Sequence, residues 1–484
     1  MLDQLKQNKE IILIFLLALV LRVIGVWHGY PLVFNVDEPA LVRSSLGIGF
    51  NINPHHFDWP HFHYYLNYII YFLYIKFRGL VLDFEGLKAT FLWRDPIIFY
   101  LISRTFNAFI GALTVIPLYL TGTRLRSKKA GLLTALFFSV FPLHVRVSHF
   151  ALIDVPTVFW LSWAVYFAAK VLTDNRTRNY LASGLFTGFA MSAKYNGLFA
   201  GTALMGAHLI TLVNNRSLLK TLSFYTKPAI ALTFCALAFL IGTPFALFDY
   251  QTFVRTDSSI GALWQFTNVG SVDLAHRIKN FFVTSPTKFF NDLGFIPILV
   301  FAIYVVFSIK DIAARNKEKI IVFAFIVIPL LIMVFSVSGF EKTRSHYYMI
   351  CYPFIALGMG VFLARTKHIK RVFLLFCIPL VLSLFQVYIL SVKDTRTIAW
   401  EYLQRRPKTL VLYNDPDFLQ VALKLKRITE VKKVKGYDPA NFKIPAYWVV
   451  LEPKTKKLPP NLQSKLLIDS TYRNGPNIEI FYLK

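Results

Sequence analysis

Apolar runs of about 20 residues recur along this chain, and they limit its fold more than any other feature. A helix of that length crosses the hydrocarbon core of a bilayer, where the backbone must satisfy its own hydrogen bonds. Hydrophobic residues make up 55% of the sequence, and the mean hydropathy is +0.50. The sequence therefore predicts an all-α polytopic membrane protein and argues against a soluble globular one.

The apolar runs give eleven predicted membrane spans. The first is interpreted as a retained span, because it is long and no small-residue cleavage site follows it. The three cysteines lie inside apolar runs and show neither a disulfide framework nor a metal-binding spacing. The predicted spans are 11–28, 97–121, 130–147, 155–172, 180–194, 197–213, 226–248, 293–309, 319–337, 347–364 and 371–392.

Basic residues are concentrated in alternate short connections between these spans. The net charge is +27, from 53 Lys and Arg against 26 Asp and Glu. Lys and Arg accumulate on the cytoplasmic side of membrane proteins, so we expect a cytoplasmic N-terminus and no nucleic-acid partner. The basic connections are 121–129, 173–178, 214–220, 310–319 and 365–371.

A further apolar run, HYYLNYIIYFLYIKF at 63–77, is interpreted as an interfacial helix. Counting it as a span would place the basic connection at 121–129 on the external side and break the charge pattern. Its many tyrosines suit the membrane interface, where the ring is buried and the hydroxyl stays wet. The alternative, that this run spans the membrane, stays open.

The external side holds the long segments of the chain: a first loop at 29–96, a second at 249–292, and the tail at 393–484. Helix-like and strand-like patterns alternate in the tail, which predicts a small soluble α/β domain. Its DPD sequence at 415–417 resembles a metal-binding Asp-x-Asp but also suits a turn. No internal repeat is visible, which argues against a secondary transporter.

Two adjacent carboxylates, Asp37 and Glu38, follow the first span directly. A carboxylate in a loop at the edge of the bilayer has the chemistry of a general base. The alternative is a solvated loop acid or a cap for a helix beginning near Pro39.

Two other stretches carry acids beside the membrane. The segment HFDWPHFHYY at 56–65 holds Asp58 among histidines, a composition that can bind a divalent metal. His61 and His63 would not share a helix face, so aromatic and histidine packing is the alternative. Asp154 precedes Val155-Pro156, which fits an N-cap that could also direct an oxygen at a substrate or metal.

Three cations are expected near the external ends of spans: Arg104, Lys194 and Arg344. A charge within a span is costly and marks a candidate functional site. Cations at headgroup depth suit an anionic lipid phosphate, which Arg can bind through two donors. Snorkelling to the interface is the alternative.

Six stretches, in this order, resemble the motifs of the membrane glycosyltransferases of the GT-C type. The closest resemblance is to glycosyltransferase family 39, the protein O-mannosyltransferase and aminoarabinose-transferase group. It covers about residues 10–370, and it departs from the family at Pro60-His61-Phe62, where the usual sequence is Pro-Pro-Leu. The stretches are VDEP, HFDWPHFHYYL, SRTFNAFIGALTVIPLYLTGTRL, FPLHVRVSHFALIDVPTVFW, GLFTGFAMSAKYNGLFA and TRSHYYMICYPFIALG.

The resemblance implies a GT-C transmembrane catalytic domain at 1–392 and an external α/β domain at 393–484. It also implies transfer of a single sugar, with inversion, from a polyprenyl-phosphate donor to an acceptor hydroxyl on the external face. The acceptor could be a glycan, a lipid or a protein. The lack of a long insertion of recognisable domains favours a prokaryotic plasma membrane.

The same resemblance suggests roles for the candidate residues. Asp37 would be the general base, with Glu38 supporting it. Arg104, Lys194 and Arg344 would stabilise the leaving lipid phosphate. Asp58 and Asp154 would position the acceptor or, with His61, hold a divalent metal such as Zn, Mg or Mn.

Other functions remain open at this stage. A lipid-linked sugar flippase or transporter would place polar residues near mid-bilayer and keep its external loops short. An oligosaccharyltransferase would be expected to carry a Trp-Trp-Asp motif, and the sequence has none. A scaffold that only presents the tail would leave Arg104 and the acidic pair without a purpose.

Overall fold

The computed structural model describes residues 9–79, 97–214, 216–268, 272–406, 410–413, 430–433, 446–452 and 464–483. Helices dominate this part of the chain, and eight of them are long and apolar enough to cross a membrane. The predicted class, a helical membrane protein with a small α/β tail, is confirmed. The eight candidate spans are Ile97–Leu125, Asp154–Thr173, Tyr195–Val213, Leu222–Gly242, Phe295–Ala313, Lys317–Val337, Ser345–Leu363 and Lys370–Gln404.

The α-helices of the first half include both long apolar segments and short connecting ones. They are α1 (Lys9–Val23), α2 (Glu38–Gly47), α3 (Phe62–Phe77), α4 (Ile97–Leu113), α5 (Val115–Leu125), α6 (Lys128–Ser139), α7 (Pro142–Val147), α8 (Asp154–Thr173), α9 (Thr177–Ala193) and α10 (Gly201–Asn214).

The second half repeats this mixture of long and short helices. They are α11 (Leu222–Gly242), α12 (Phe245–Phe248), α13 (Tyr250–Phe253), α14 (Ala262–Asn268), α15 (Leu274–Lys279), α16 (Ser285–Leu293), α17 (Phe295–Ala313), α18 (Lys317–Val337), α19 (Tyr352–Leu363), α20 (Ile369–Ser391) and α21 (Thr395–Gln404). Single-turn to two-turn 3₁₀ or π segments lie at Tyr195–Ala200, Arg216–Lys220, Asn280–Thr284 and Ser345–Cys351.

Three of the eleven predicted spans correspond to shorter helices. The spans predicted at 11–28, 130–147 and 180–194 correspond to α1, to α6 with α7, and to α9. At 1.5 Å per residue, the 17 residues of α9 extend about 25 Å, less than the thickness of a typical hydrocarbon core. The count of eleven therefore stays a prediction, while the positions of the helices agree with it.

Small residues allow α9 and α11 to pack closely. Gly184 and Gly188 lie one turn apart on α9 and face Ala231 and Cys235 of α11. A Cβ added at Gly184 would lie 2.1 Å from the carbonyl oxygen of Ala231, so the two backbones are nearly in contact. Such small-residue interfaces are how helices associate in a membrane, where the hydrophobic effect does not drive them together.

The predicted aromatic helix is present as α3, and it packs against α4 through polar side chains. His63 Nε2 lies 2.9 Å from Asn107 Oδ1, and the Tyr71 hydroxyl is hydrogen bonded to Ser103. Both tyrosine and histidine side chains are buried. These contacts fix α3 beside the membrane helices, while its predicted interfacial depth stays a prediction.

The tail forms a five-stranded mixed sheet. Its strands are β1 (Leu410–Tyr413), β2 (Glu430–Lys433), β3 (Ala446–Leu451), β4 (Ser464–Ile468) and β5 (Ile478–Leu483). The order is β2-β1-β3-β5-β4, with β1 parallel to β2 and β3, and β5 antiparallel to β3 and β4. The helix α21 packs on this sheet, as the α/β pattern predicted. The DPD sequence at 415–417 lies outside the described residues.

Candidate active site

Asp37 lies at the N-cap position of α2, yet its side chain makes no capping hydrogen bond. Its backbone N–H donates to Asn35 Oδ1 at 2.9 Å. Among the described residues, the Asp37 carboxylate has no hydrogen-bond or ion-pair partner. The carboxylate is partly exposed, so it is available to a substrate.

The neighbouring Glu38 is completely buried and fully engaged. Its Oε1 accepts from Arg104 Nε at 2.7 Å and its Oε2 from Arg104 Nη2 at 2.7 Å. The N–H of Ala151 donates to Oε1 at 2.8 Å. Two parallel charge-assisted bonds of this kind fix geometry strongly. Glu38 therefore clamps the start of α2 to α4 and to the segment before α8.

Arg104 has almost no donor left for a ligand. Besides Glu38, its Nη1 donates to the carbonyls of Val26 at 3.1 Å and His28 at 2.9 Å. Four of its five N–H groups are thus occupied, and the side chain has no exposed surface. Arg104 was predicted to bind the lipid phosphate, but in this arrangement it holds Glu38 and two backbone carbonyls in place. The sequence did not predict these partners, because Glu38, Val26 and His28 lie 66 to 78 residues away from Arg104 along the chain.

Asp154 and Lys194 come together because α8 begins where α9 ends. Lys194 Nζ lies 2.6 Å from Asp154 Oδ1, and their side chains are 20% and 8% exposed. The same ammonium lies 4.8 Å from the centroid of the Tyr347 ring. Asp154 is the first residue of α8 and not its N-cap, because the carbonyl of Ile153 already accepts the first helical bond.

The segment before α19 brings the guanidinium of Arg344 and the imidazole of His346 to this place. Arg344 is exposed, and its guanidinium pairs with no carboxylate in the part of the chain that the structure describes. His346 interacts electrostatically with Asp154, Lys194, Arg344 and Asp37. Sequence reasoning missed His346, although it stands two residues after Arg344 in the same motif. The five residues form one cluster.

Asp58 belongs to a separate hydrogen-bonded chain at the edge of this cluster. His56 Nδ1 lies 2.5 Å from Asp58 Oδ1, and His56 Nε2 lies 2.9 Å from Ser44 Oγ. The hydroxyl of Tyr195, the residue after Lys194, donates to the carbonyl of Phe57 at 2.8 Å. This bond holds the Asp58 loop next to the segment that carries Lys194.

The predicted metal ligands are not brought together. His61 Nε2 donates to the carbonyl of His56, and burial lowers the pKa of His61 to about 4, so the ring is neutral at physiological pH. Asp58 bonds His56, while Asp154 bonds Lys194. Within the described residues no group of three or more His, Cys, Asp or Glu side chains is arranged to hold a metal ion. We therefore assign no metal to Asp58, Asp154 and His61.

Comparison with known proteins gives relatives for one part of the chain. Residues 101–241 match the family described as dolichyl-phosphate-mannose-protein mannosyltransferase. Dolichyl-phosphate-mannose–protein mannosyltransferase 1 of Saccharomyces cerevisiae is 33% identical over 175 residues, which is 34% of this chain and 20% of the yeast protein. The match thus spans about a fifth of that relative's length.

Solved structures extend the likeness in fold to nearly the whole chain. ArnT from Cupriavidus metallidurans, solved with undecaprenyl phosphate, has a TM-score of 0.55 at 13% identity and covers 98% of both chains. The Archaeoglobus fulgidus oligosaccharyltransferase, solved with zinc and sulfate, has a TM-score of 0.54 at 12% identity and covers 91% of this chain and 68% of its own. The resemblance predicted from the sequence motifs is therefore confirmed: the chain is a membrane protein that is similar to the dolichyl-phosphate-mannose-protein mannosyltransferases over residues 101–241 and resembles ArnT in fold.

Proposed function

We propose that this protein is an integral-membrane glycosyltransferase that moves a single sugar from a polyprenyl-phosphate donor to an acceptor hydroxyl, with inversion, on the external face of the membrane. The observation that carries the proposal is that carboxylates and cations occur together in one cluster. The unpartnered carboxylate of Asp37 and the cations Lys194 and Arg344 all act electrostatically on His346, and Arg344 has no carboxylate partner among the described residues.

Asp37 is the general base in this proposal. It accepts the proton of the acceptor hydroxyl while the hydroxyl oxygen attacks the anomeric carbon of the donor sugar. A single displacement from the side opposite the leaving group inverts that carbon. Glu38 is not a second base, because Arg104 and Ala151 already occupy its oxygens. It fixes the first turn of α2 and thereby the place of Asp37.

The cations act on the other side of the anomeric carbon. The bond from that carbon to the phosphate oxygen breaks, and the lipid phosphate leaves with the electron pair. Arg344 offers a free guanidinium for this phosphate, and Lys194 has N–H donors beyond the one bound to Asp154. Asp154 orients the Lys194 ammonium through their 2.6 Å ion pair. We assign Arg104 to positioning and no longer to the phosphate.

The acceptor side is assigned to the loop that carries Asp58. Its carboxylate and His56 are each about one-third exposed or less, at 36% and 26%, and they border the Lys194 segment. They can hydrogen bond a hydroxylated acceptor, whether glycan, lipid or protein. We expect the lipid bilayer to contact the exposed apolar side chains of the eight candidate spans.

The test is turnover of radiolabelled polyprenyl-phosphate sugars by the purified full chain, with Asp37→Asn beside wild type. A general base contributes about 100-fold to 10,000-fold, so the variant should release lipid phosphate at least about 100-fold more slowly while still binding donor. Asp257→Asn, the same change at an exposed loop acid, is the matched control and should behave as wild type. Equal release by Asp37→Asn would remove Asp37 from the reaction.

A lipid-linked sugar flippase is the second candidate. It would translocate its lipid without releasing phosphate, and Asp37→Asn would leave translocation unchanged. Asp37, Asp154, Lys194 and Arg344 all lie at the ends of their helices, which favours the transferase.

A further inference from the structure

The segment that leads into Asp37 is packed into the C-terminal domain. Leu32 is 4% exposed and belongs to the same apolar cluster as Ala399 and Leu403 of α21 and Val449 of β3. Phe34 packs against this cluster as well. Residues 29–34 therefore have part of their hydrophobic environment in the tail, although they follow α1 directly in the sequence.

Arg396 of α21 contacts this segment through a cation–π interaction with the ring of Phe34. Its guanidinium carbon lies 4.0 Å from the centroid of Phe34. Asp394 holds the same guanidinium through two bonds, from Nε at 2.9 Å and from Nη2 at 2.8 Å. A planar cation fixed in this way stacks on a ring at little cost in side-chain entropy. Phe34 stands three residues before Asp37.

A second contact lies at the turn that opens the segment. The Thr397 hydroxyl donates to the carbonyl of Gly29 at 3.2 Å. Gly29 has φ +76°, a left-handed conformation that suits glycine, and a Cβ there would lie 3.0 Å from the carbonyl oxygen of Leu32. The turn that directs the chain toward Asp37 is thus hydrogen bonded to the tail.

The tail is itself anchored to the membrane helices. Arg146 of α7 donates to Gln386 of α20 at 2.8 Å and to Asn474 of the tail at 3.2 Å. Asn474 donates in turn to Asp394 at 3.0 Å, and the Asp394 side chain is 1% exposed. The contacts run without a gap from the membrane helices through the tail to Phe34.

We propose that the C-terminal domain positions the catalytic loop: Phe34 and Arg396 are positioning residues that fix the segment carrying Asp37. The inference rests on the proposed function for the role of Asp37, but the packing stands independently of it. Loss of the contact between Arg396 and Phe34 would leave the donor site intact and displace Asp37. A displacement of about 1 Å can cost about 100-fold in rate, so the effect falls on kcat and not on donor affinity.

The experiment compares Phe34→Ala, Phe34→Tyr and Arg396→Ala in the full chain in detergent. Two quantities are measured: hydrogen exchange of amides 29–37, and kcat with KM for lipid-phosphate release. We expect Phe34→Ala and Arg396→Ala to speed exchange about tenfold or more and to lower kcat about 10-fold to 100-fold at unchanged donor KM. Phe34→Tyr keeps the aromatic ring and should show the amide exchange and the kcat of wild type. Leu467→Thr, at a 63% exposed position of β4, is the matched tail control.

Each outcome decides the inference. Unchanged exchange at 29–37 in Phe34→Ala would show that the tail does not hold the segment. Faster exchange with unchanged kcat would show that the contact is structural only, and would overturn the positioning role. Exchange does not need turnover, so a wild-type protein without transferase activity would refute the proposed function while the exchange data still test the grip.

Discussion

Changing Glu38 to Gln is the perturbation that tests the site geometry most directly. The substitution keeps the size and shape of the side chain and removes its charge. The guanidinium of Arg104 would then face a neutral amide. The amide oxygen can accept one of the two 2.7 Å bonds, but the NH₂ group is a donor and cannot accept the other. A buried cation would be left without its counter-ion.

The size of the effect follows from burial. Both side chains of the pair are 0% exposed. Removing one partner of a buried ion pair costs about 3–5 kcal/mol, because the remaining charge stays desolvated. For a chain of 484 residues such a loss should lower the thermal midpoint by about 3–5 °C. The start of α2 would also be held less firmly to α4, because the bond from Arg104 Nη2 would be lost, so turnover should fall together with stability.

The assay is the thermal midpoint of the purified protein in detergent, read by size-exclusion after heating. Glu10→Gln is the matched control, because Glu10 forms an exposed pair with Lys128 at 3.3 Å and should leave the midpoint unchanged. Glu38→Leu combined with Arg104→Leu removes both charges and should recover much of the stability. A thermal midpoint of Glu38→Gln within about 1 °C of wild type would refute a stabilising role of the Glu38–Arg104 pair.

Two further predictions concern packing and pH. Gly184→Ala should lower the thermal midpoint, because its Cβ would meet the carbonyl of Ala231 at 2.1 Å, whereas Gly206→Ala, with open space around it, should not; equal midpoints would contradict the close helix contact. Burial raises the pKa of Asp292, which lies outside the spanning segments, from 3.8 to about 6. The protonated form is thus favoured in the fold: its stabilisation is complete below about pH 4 and is lost as the pH rises through about 6. Asp292→Asn should remove this part of the pH dependence of the midpoint, and a parallel pH profile in the variant would refute it.

The sequence by itself determined the helical membrane class and the α/β tail. Both follow from local patterns: an apolar run of about 20 residues is typical of a span, and alternating patterns around 395–406 and 447–453 predict a helix and a strand. Motif order also determined the resemblance to family 39, because it needs no knowledge of contacts. The pair Asp37 and Glu38 was found in the same way, as was the Lys194 motif.

Only the tertiary structure decided what those residues can do. Asp37 and Glu38 are adjacent and chemically alike, yet Glu38 is bound to Arg104, 66 residues away, while Asp37 has no partner among the described residues. Asp154 and Lys194 meet across two helices, and His346 joins them from a third. The proposed dependence of Asp37 on the tail rests on contacts between residues more than 300 positions apart. Hydrogen bonding and burial are properties of the surroundings of a side chain, and in this protein those surroundings come from distant parts of the chain.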